Sequence, residues 1–119
     1  MMRIVIAGCR EYNDYDVAKE FIDLCLGSLN NHKDIVILSG GARGADELGL
    51  RYAVENSLKT EVYRADWKKY GRAAGPKRNE QMAKKCDIVI CFWDGKSRGT
   101  KSMIDYAQKY NRKVYIKYI

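Results

Sequence analysis

Short apolar runs alternate along the chain with segments whose apolar positions recur every three or four residues. Five runs read as strands: Arg3 to Ala7, Asp34 to Leu38, Glu61 to Ala65, Ile88 to Phe92 and Val114 to Tyr118. Four segments of helical spacing lie between them. The first follows Asp14, an expected N-cap, and puts Val17, Phe21, Leu24 and Cys25 on one face. The second runs from about Ala45 to Asn56 with Ala45, Gly49, Tyr52 and Ala53 inward, residues small enough in part to bring a helix close to a sheet. The third opens at Pro76, a residue suited to a first helical turn, and carries Met82, Ala83 and Cys86. The fourth opens at Thr100 as N-cap and carries Met103, Ala107 and Tyr110.

Strand-helix alternation of this kind predicts an α/β fold, a parallel sheet with helices on both faces. The runs Ile4-Val5-Ile6-Ala7, Ile35-Val36-Ile37-Leu38 and Ile88-Val89-Ile90-Cys91-Phe92 are continuously apolar, as strands buried on both faces must be. The other two runs mix in charged positions and belong at the edges. Right-handed crossovers then give a Rossmann-like three-layer sandwich with a five-stranded parallel sheet of order 3-2-1-4-5. At 119 residues, the expectation is one domain spanning 1–119.

Composition narrows the class. With 46% hydrophobic and 31% charged residues and a single proline, the chain reads as a soluble globular protein without a proline-rich linker. No apolar stretch has the length of a membrane helix, and Ile4 to Ala7 is too short for a signal-peptide core, so a cytoplasmic location is expected. Cys9, Cys25, Cys86 and Cys91 show no C-x-x-C spacing, and the one histidine, His32, sits in a polar stretch; reduced thiols and no metal site are expected. The net charge of +7 asks for an anionic partner or a solvated surface. Arg10, Arg43, Arg72, Arg78 and Arg98 fall in or beside glycine-containing connections, where forked guanidinium groups suit phosphate.

In a sheet of this order, ligands bind beyond the carboxyl ends of the strands, where the strand order reverses. Four unusual connections would share that rim: Gly8-Cys9-Arg10-Glu11; "SGGARGAD", which is Ser39, Gly40, Gly41, Ala42, Arg43, Gly44, Ala45 and Asp46; the long stretch from Asp66 and Trp67 to Arg78 and Asn79; and Asp94-Gly95-Lys96-Ser97-Arg98-Gly99-Thr100. Glycines let backbone amides approach an anion, and a following helix adds its positive end. Ser39, Ser97 and Thr100 would add hydroxyls. Neither the P-loop nor the G-x-G-x-x-G spacing is present, which argues against a P-loop nucleotidase or a standard dinucleotide dehydrogenase. Simpler roles compete: Asp46 as helix cap or partner of Arg43, Asp66 as turn former, Thr100 as cap, and Trp67, Tyr70 and Trp93 as ordinary aromatics, not a base-stacking face.

The motifs "IAGCRExxD", "SGGARGAD", "ADWxxYGRAAGPKRNEQM" and "FWDGKSRGTxxMI" span nearly the whole chain, and together they resemble the SLOG superfamily, in particular its small stand-alone branch related to YspA and YpsA. The resemblance implies binding of nucleotides or their derivatives. Its relatives include cytokinin-activating phosphoribohydrolases, DNA-processing proteins, and domains that sense ADP-ribose-type signals in defence against phage. By that resemblance Gly40, Gly41 and Gly44 look like phosphate-loop glycines, Gly99-Thr100 like the hydrolases' second phosphate loop, and Arg78 like their sugar-side arginine. The hydrolases follow Gly-Thr with a glutamate; here the third residue after Thr100 is Met103.

Breaking an N-glycosidic bond builds positive charge on the ribose, and a carboxylate must answer it. With Met103 at that position, binding without hydrolysis is the expected function, as sensor or as phage sponge for an ADP-ribose or cyclic ADP-ribose type of signal. Hydrolysis of a nucleoside 5'-monophosphate by a relocated group, with Asp46, Asp66, Asp94 and Arg78 as candidates, is the alternative. Single-stranded nucleic-acid binding is the second alternative, set aside at this point for want of a basic tail or auxiliary domain. A homodimer or higher homo-oligomer is implied by the resemblance alone, and no resident cofactor is expected.

Overall fold

A computed structural model describes residues 1–27 and 34–119. Its elements in chain order are β1 (Met2–Gly8), α1 (Tyr15–Leu26), β2 (Ile35–Ser39), α2 (Ala45–Glu55), β3 (Lys59–Val62), α3 (Trp67–Tyr70), a 3-10 turn (Gly71–Ala73), α4 (Ala74–Lys85), β4 (Ile88–Trp93), α5 (Arg98–Lys109) and β5 (Lys113–Tyr118). All strand pairs are parallel and the order is β3-β2-β1-β4-β5, as the pattern requires. His32 lies outside the described residues.

Alternation along the three central strands sorts their side chains into two cores. Ile4 and Ile6 of β1, with Ile37, Ile90 and Phe92, face α1 and α2. Val5 and Ala7, with Val36, Leu38, Val89 and Cys91, face α4 and α5. Helices therefore cover both sides of the sheet. On the first side α2 approaches so closely that a Cβ added at Gly49 would lie 2.8 Å from Ile6 Cβ, which explains the small residue there. All four cysteines are buried thiols with no disulfide. Among the described residues no helix is long and apolar enough to cross a membrane.

Four details differ from the sequence reading. Helix α1 buries Ala18, Ile22, Cys25 and Leu26, whereas Leu24 is 74% exposed. Two overlapping apolar sets were available on this helix; the one carrying Ile22 and Leu26 faces the sheet, with Phe21 packed at its border against Phe92. Strand β3 runs from Lys59 to Val62, beginning two residues and ending three residues earlier than the expected Glu61 to Ala65. Leu58 N–H bonds to Ala53 O at the end of α2, so the chain enters the β2 ladder at once, with Val36 opposite Lys59 and Ser39 opposite Val62. Helix α5 starts at Arg98 with Ser97, not Thr100, as its cap: Ser97 Oγ accepts from the Thr100 amide at 3.4 Å. Helix α4 likewise begins at Ala74, so Pro76 sits within its first turn.

Candidate functional site

The connections after β1, β2 and β4 are tied together at Cys9. Its amide donates to Phe92 O at 3.0 Å, and its carbonyl accepts from Ala45 N–H at 3.1 Å and Tyr12 N–H at 3.2 Å. Gly44, just before α2, has φ +79°, and a side chain there would meet Cys9 O at 2.5 Å, so only glycine fits the junction. The "SGGARGAD" loop is folded on itself. Ser39 is fully buried; its hydroxyl donates to Asp46 O at 3.2 Å and accepts from Gly41 N–H at 3.1 Å, while Ala42 N–H donates to Asp46 Oδ2 at 3.1 Å.

Arg78, from the first half of α4, reaches across to this loop. Its Nη1 donates to Gly40 O at 2.8 Å and to Tyr63 O at 3.3 Å, and its Nε donates to Asn79 Oδ1 at 3.0 Å. Asn79, itself buried, donates through Nδ2 to Gly99 O at 3.3 Å and Ser102 Oγ at 3.4 Å. One pair of adjacent residues thus couples the β2 loop to the first turn of α5.

These parts enclose a cleft of about 580 Å³ at the carboxyl ends of β1 and β4. All four connections contribute. Gly8, Cys9 and Arg10 come from the first, Ala42 and Asp46 from the second, Trp67, Arg78 and Asn79 from the third, and Asp94, Ser97, Arg98, Gly99 and Thr100 from the fourth. Beside it lies a second hollow of about 500 Å³, to which Gly40, Gly41 and Arg43 belong, with Arg10, Ala42, Trp67 and Arg78 common to both. Of the residues expected to bind ligand, Ser39, Gly44, Asp66 and Gly95 line neither, and of the candidate aromatics Tyr70 and Trp93 line neither. Ser39 and Gly44 support the loop from behind, Gly95 turns the chain with φ +79°, and Asp66 caps α3 by accepting from Lys69 N–H at 3.1 Å.

The three candidate aspartates differ in availability. Asp94 Oδ1 accepts from both Lys96 and Ser97 amides at 2.8 Å, and these two bonds, Ser97 foremost, hold its pKa below the usual value. Asp66 is occupied as a cap. Asp46 is the buried one, 6% exposed; burial pushes its pKa up to about 6, against the opposing pull of the Ala42 amide, Arg78 and Arg10. Burial also lowers the pKa of Arg78, although a guanidinium stays charged at any ordinary pH. Thr100 is buried beneath the cap of α5, and Met103, which lines the cleft, presents no acid or base to it.

Nothing in the sequence signals that Met82 and Ser102 face the cleft from α4 and α5, and Arg72, noted only for its glycine-containing surroundings, lines it too; Met103 lines it where the resemblance puts the hydrolases' glutamate. Arg64 was read as part of a strand; because β3 ends at Val62 it stands on the rim of the second hollow. Trp67 is half exposed between both hollows, whereas Trp93 is turned away, its Nε1 donating to Ser97 O at 3.1 Å and its ring tilted against Tyr118. Among the described residues no group of three His, Cys, Asp or Glu side chains is arranged to hold a metal.

Comparison with known proteins adds kinship to geometry. The profile of the YAcAr family, the YspA, cpYpsA-related SLOG family, matches residues 2–70. Gene 61 protein of Mycobacterium phage D29 is 33% identical over 116 residues, 92% of this chain and 90% of that protein. The fold resembles that of DNA processing protein A from Streptococcus pneumoniae, with TM-score 0.72, 20% identity and coverage of 97% of this chain and 49% of the other. It also resembles DNA processing protein A from Helicobacter pylori, whose structure concerns a single-stranded DNA binding mode, with TM-score 0.71, 21% identity and coverage of 97% and 64%. The chain therefore spans about half of one and less than two thirds of the other, and those likenesses speak to fold. The profile match over the amino-terminal half and the nearly full-length phage relative together make the chain a member of the YspA, cpYpsA-related SLOG family.

Proposed function

We propose that the cleft binds a nucleotide-derived small molecule of the ADP-ribose type and releases it unchanged. The observation that carries this reading is the convergence of Arg10, Arg72, Arg78 and Arg98 on one cleft that also takes in the amino-terminal turn of α5. The first amides of a helix have no partner within it and, with the helix dipole, favour an anion. Guanidinium groups supply the countercharge in forked geometry. Trp67, half exposed at the border, offers a face for a base. Binding is favoured over hydrolysis because all three aspartates are engaged by backbone amides, Asp66 and Asp94 in caps and turns and Asp46, although it lines the cleft, through Oδ2 to Ala42.

Sensor and sponge require the same pocket and differ in affinity. A sponge must hold its signal with Kd of about 1 μM or tighter, roughly −8 kcal/mol. Mass spectrometry of the small molecule released on heat denaturation, after incubation with ADP-ribose, cyclic ADP-ribose and AMP, tests the proposal. An intact nucleotide near one per chain supports it. Free base with ribose phosphate would instead make the protein an N-glycosidase acting through Asp46.

A second reading has its own support. The fold is shared with a DNA-processing protein studied for its single-stranded DNA binding, and the net charge is +7. Lack of a basic tail is thus no ground for setting nucleic acid aside. An oligo-dT titration decides: affinity falling with log salt at a slope of about −0.7 per contacted phosphate would favour a strand over a small ligand.

A further inference from the structure

We infer that the second hollow is an anion subsite built around Arg64, and that the ligand of this site carries two phosphoryl groups, one in each hollow. The inference deepens the nucleotide reading above and rests on it. Its basis is an imbalance of charge. The hollow of about 500 Å³ is lined by Arg10, Arg43, Arg64 and Arg78 and by no aspartate or glutamate, whereas the main cleft includes Glu11, Asp46 and Asp94 among its arginines. Arg43 is answered by Glu11, and Arg78 and Arg10 are answered in part by Asp46, which leaves a net positive charge around the depression that an anion offsets.

Of the four arginines, Arg10 and Arg64 have no side-chain hydrogen bond or ion pair among the described residues, and Arg64 alone of these two lies outside the main cleft. Arg43 pairs with Glu11 at 2.5 Å and Arg78 is engaged by Gly40 and Tyr63 carbonyls. Among the described residues Arg64 makes no ion pair or side-chain hydrogen bond, and it is exposed. Its guanidinium lies against the Gly41 turn, where φ is +73° and a Cβ would come within 3.0 Å of Arg64 Nη1. The amides of Gly41 and Ala42 are already engaged by Ser39 and Asp46. These two donors do not reach an anion in the hollow, and the guanidinium groups supply its countercharge. Because Arg10, Ala42, Trp67 and Arg78 border both hollows, a pyrophosphate-bridged nucleotide can reach from one to the other.

The test is calorimetry of wild type and Arg64→Ala with AMP, ADP-ribose and inorganic pyrophosphate, with Arg64→Lys as a second variant that keeps charge but not the fork. Arg64→Ala is expected to weaken ADP-ribose and pyrophosphate by about tenfold or more while AMP changes less than about twofold, the loss of one charge-assisted contact. Arg64→Lys is expected to fall between. Equal loss for all three ligands, or no loss for any, overturns the subsite. If no nucleotide binds but pyrophosphate binds in an Arg64-dependent way, the subsite stands and the nucleotide reading falls. If wild type binds none of the probes, both fall.

Discussion

Replacing Asp46 with asparagine isolates what it costs to keep that carboxylate in the fold. The side chain is 6% exposed, and its pKa rises from 3.8 to about 6 because burial outweighs the Ala42 amide and the nearby Arg78 and Arg10. A rise of that size makes the ionised form cost about 3 kcal/mol relative to the unfolded chain. The folded chain then holds the proton more tightly, so between about pH 4 and pH 6 it binds more protons than the unfolded one. Stability accordingly declines as pH rises through that window and levels off above it. Asparagine keeps an oxygen to accept from Ala42 and nearly the same volume, but has no charge to bury. Asp46→Asn is therefore expected to be more stable than the parent by up to about 3 kcal/mol at pH 8 and equal to it near pH 4. Urea denaturation followed by tryptophan fluorescence at pH 4, 6 and 8 reads this directly; with m of about 1 to 3 kcal/mol/M, the midpoint at pH 8 should move up by about 1 M or more. A variant that is less stable at pH 8, or whose difference from the parent is the same at every pH, refutes the reasoning. It would mean that attraction to Arg78 and Arg10 exceeds the burial cost.

The same carboxyl links ligand binding to pH. An anion placed near Asp46 raises its pKa further, so ADP-ribose, whose phosphate diesters do not titrate in this range, should bind more tightly at pH 6 than at pH 8, and calorimetry should show this dependence lost in Asp46→Asn. Arg98→Ala removes an exposed side chain and should leave the urea midpoint within the equivalent of about 0.5 kcal/mol while lowering nucleotide affinity about tenfold. Trp67→Ala should cost about 1 to 3 kcal/mol of binding if a base stacks there, and nothing if the ring is only surface; titration of adenine-containing ligands against ribose 5-phosphate distinguishes the two. Gly49→Val forces a Cβ to 2.8 Å from Ile6 and should destabilise by about 1 to 3 kcal/mol or more, seen as a lowered melting temperature.

How far the sequence could be read depended on whether a position was governed by its neighbours in the chain or by distant ones. Strands β1, β2 and β4 announce themselves because a strand buried on both faces must be apolar throughout, and Ile4 to Ala7 or Ile88 to Phe92 has no other use. Gly49 was likewise legible, its smallness serving contact with Ile6. Helix α1 was not, since Leu24 and Leu26 lie two residues apart and only the sheet decides between them. Ser97 lost its place as cap to Thr100 in the reading because Asp94, by bonding the Lys96 and Ser97 amides, shapes the turn that puts Ser97 there. Arg64 reads as a strand residue until the pairing of Ser39 with Val62 shows where the strand stops. That four glycine-bearing connections would meet was inferable from strand order; that Ser39 would be spent on the loop's own backbone was not, because its partners Gly41 and Asp46 are fixed only once α2 docks.

The knot of backbone bonds at Cys9 has a consequence for how ligand and folding communicate. Residues 9, 45 and 92 come from three separate parts of the chain and are joined only when β1, α2 and β4 are all in place. The pocket bounded by these connections is complete only when all three are joined, so a ligand that fits it favours the folded chain over the unfolded one. Occupancy then stabilises the entire molecule by RT ln(1 + [L]/Kd), about 2.7 kcal/mol at a hundredfold excess over Kd, and slows turnover of the chain by the same mass action. In a cell, the amount of this protein would rise with the concentration of whatever it binds.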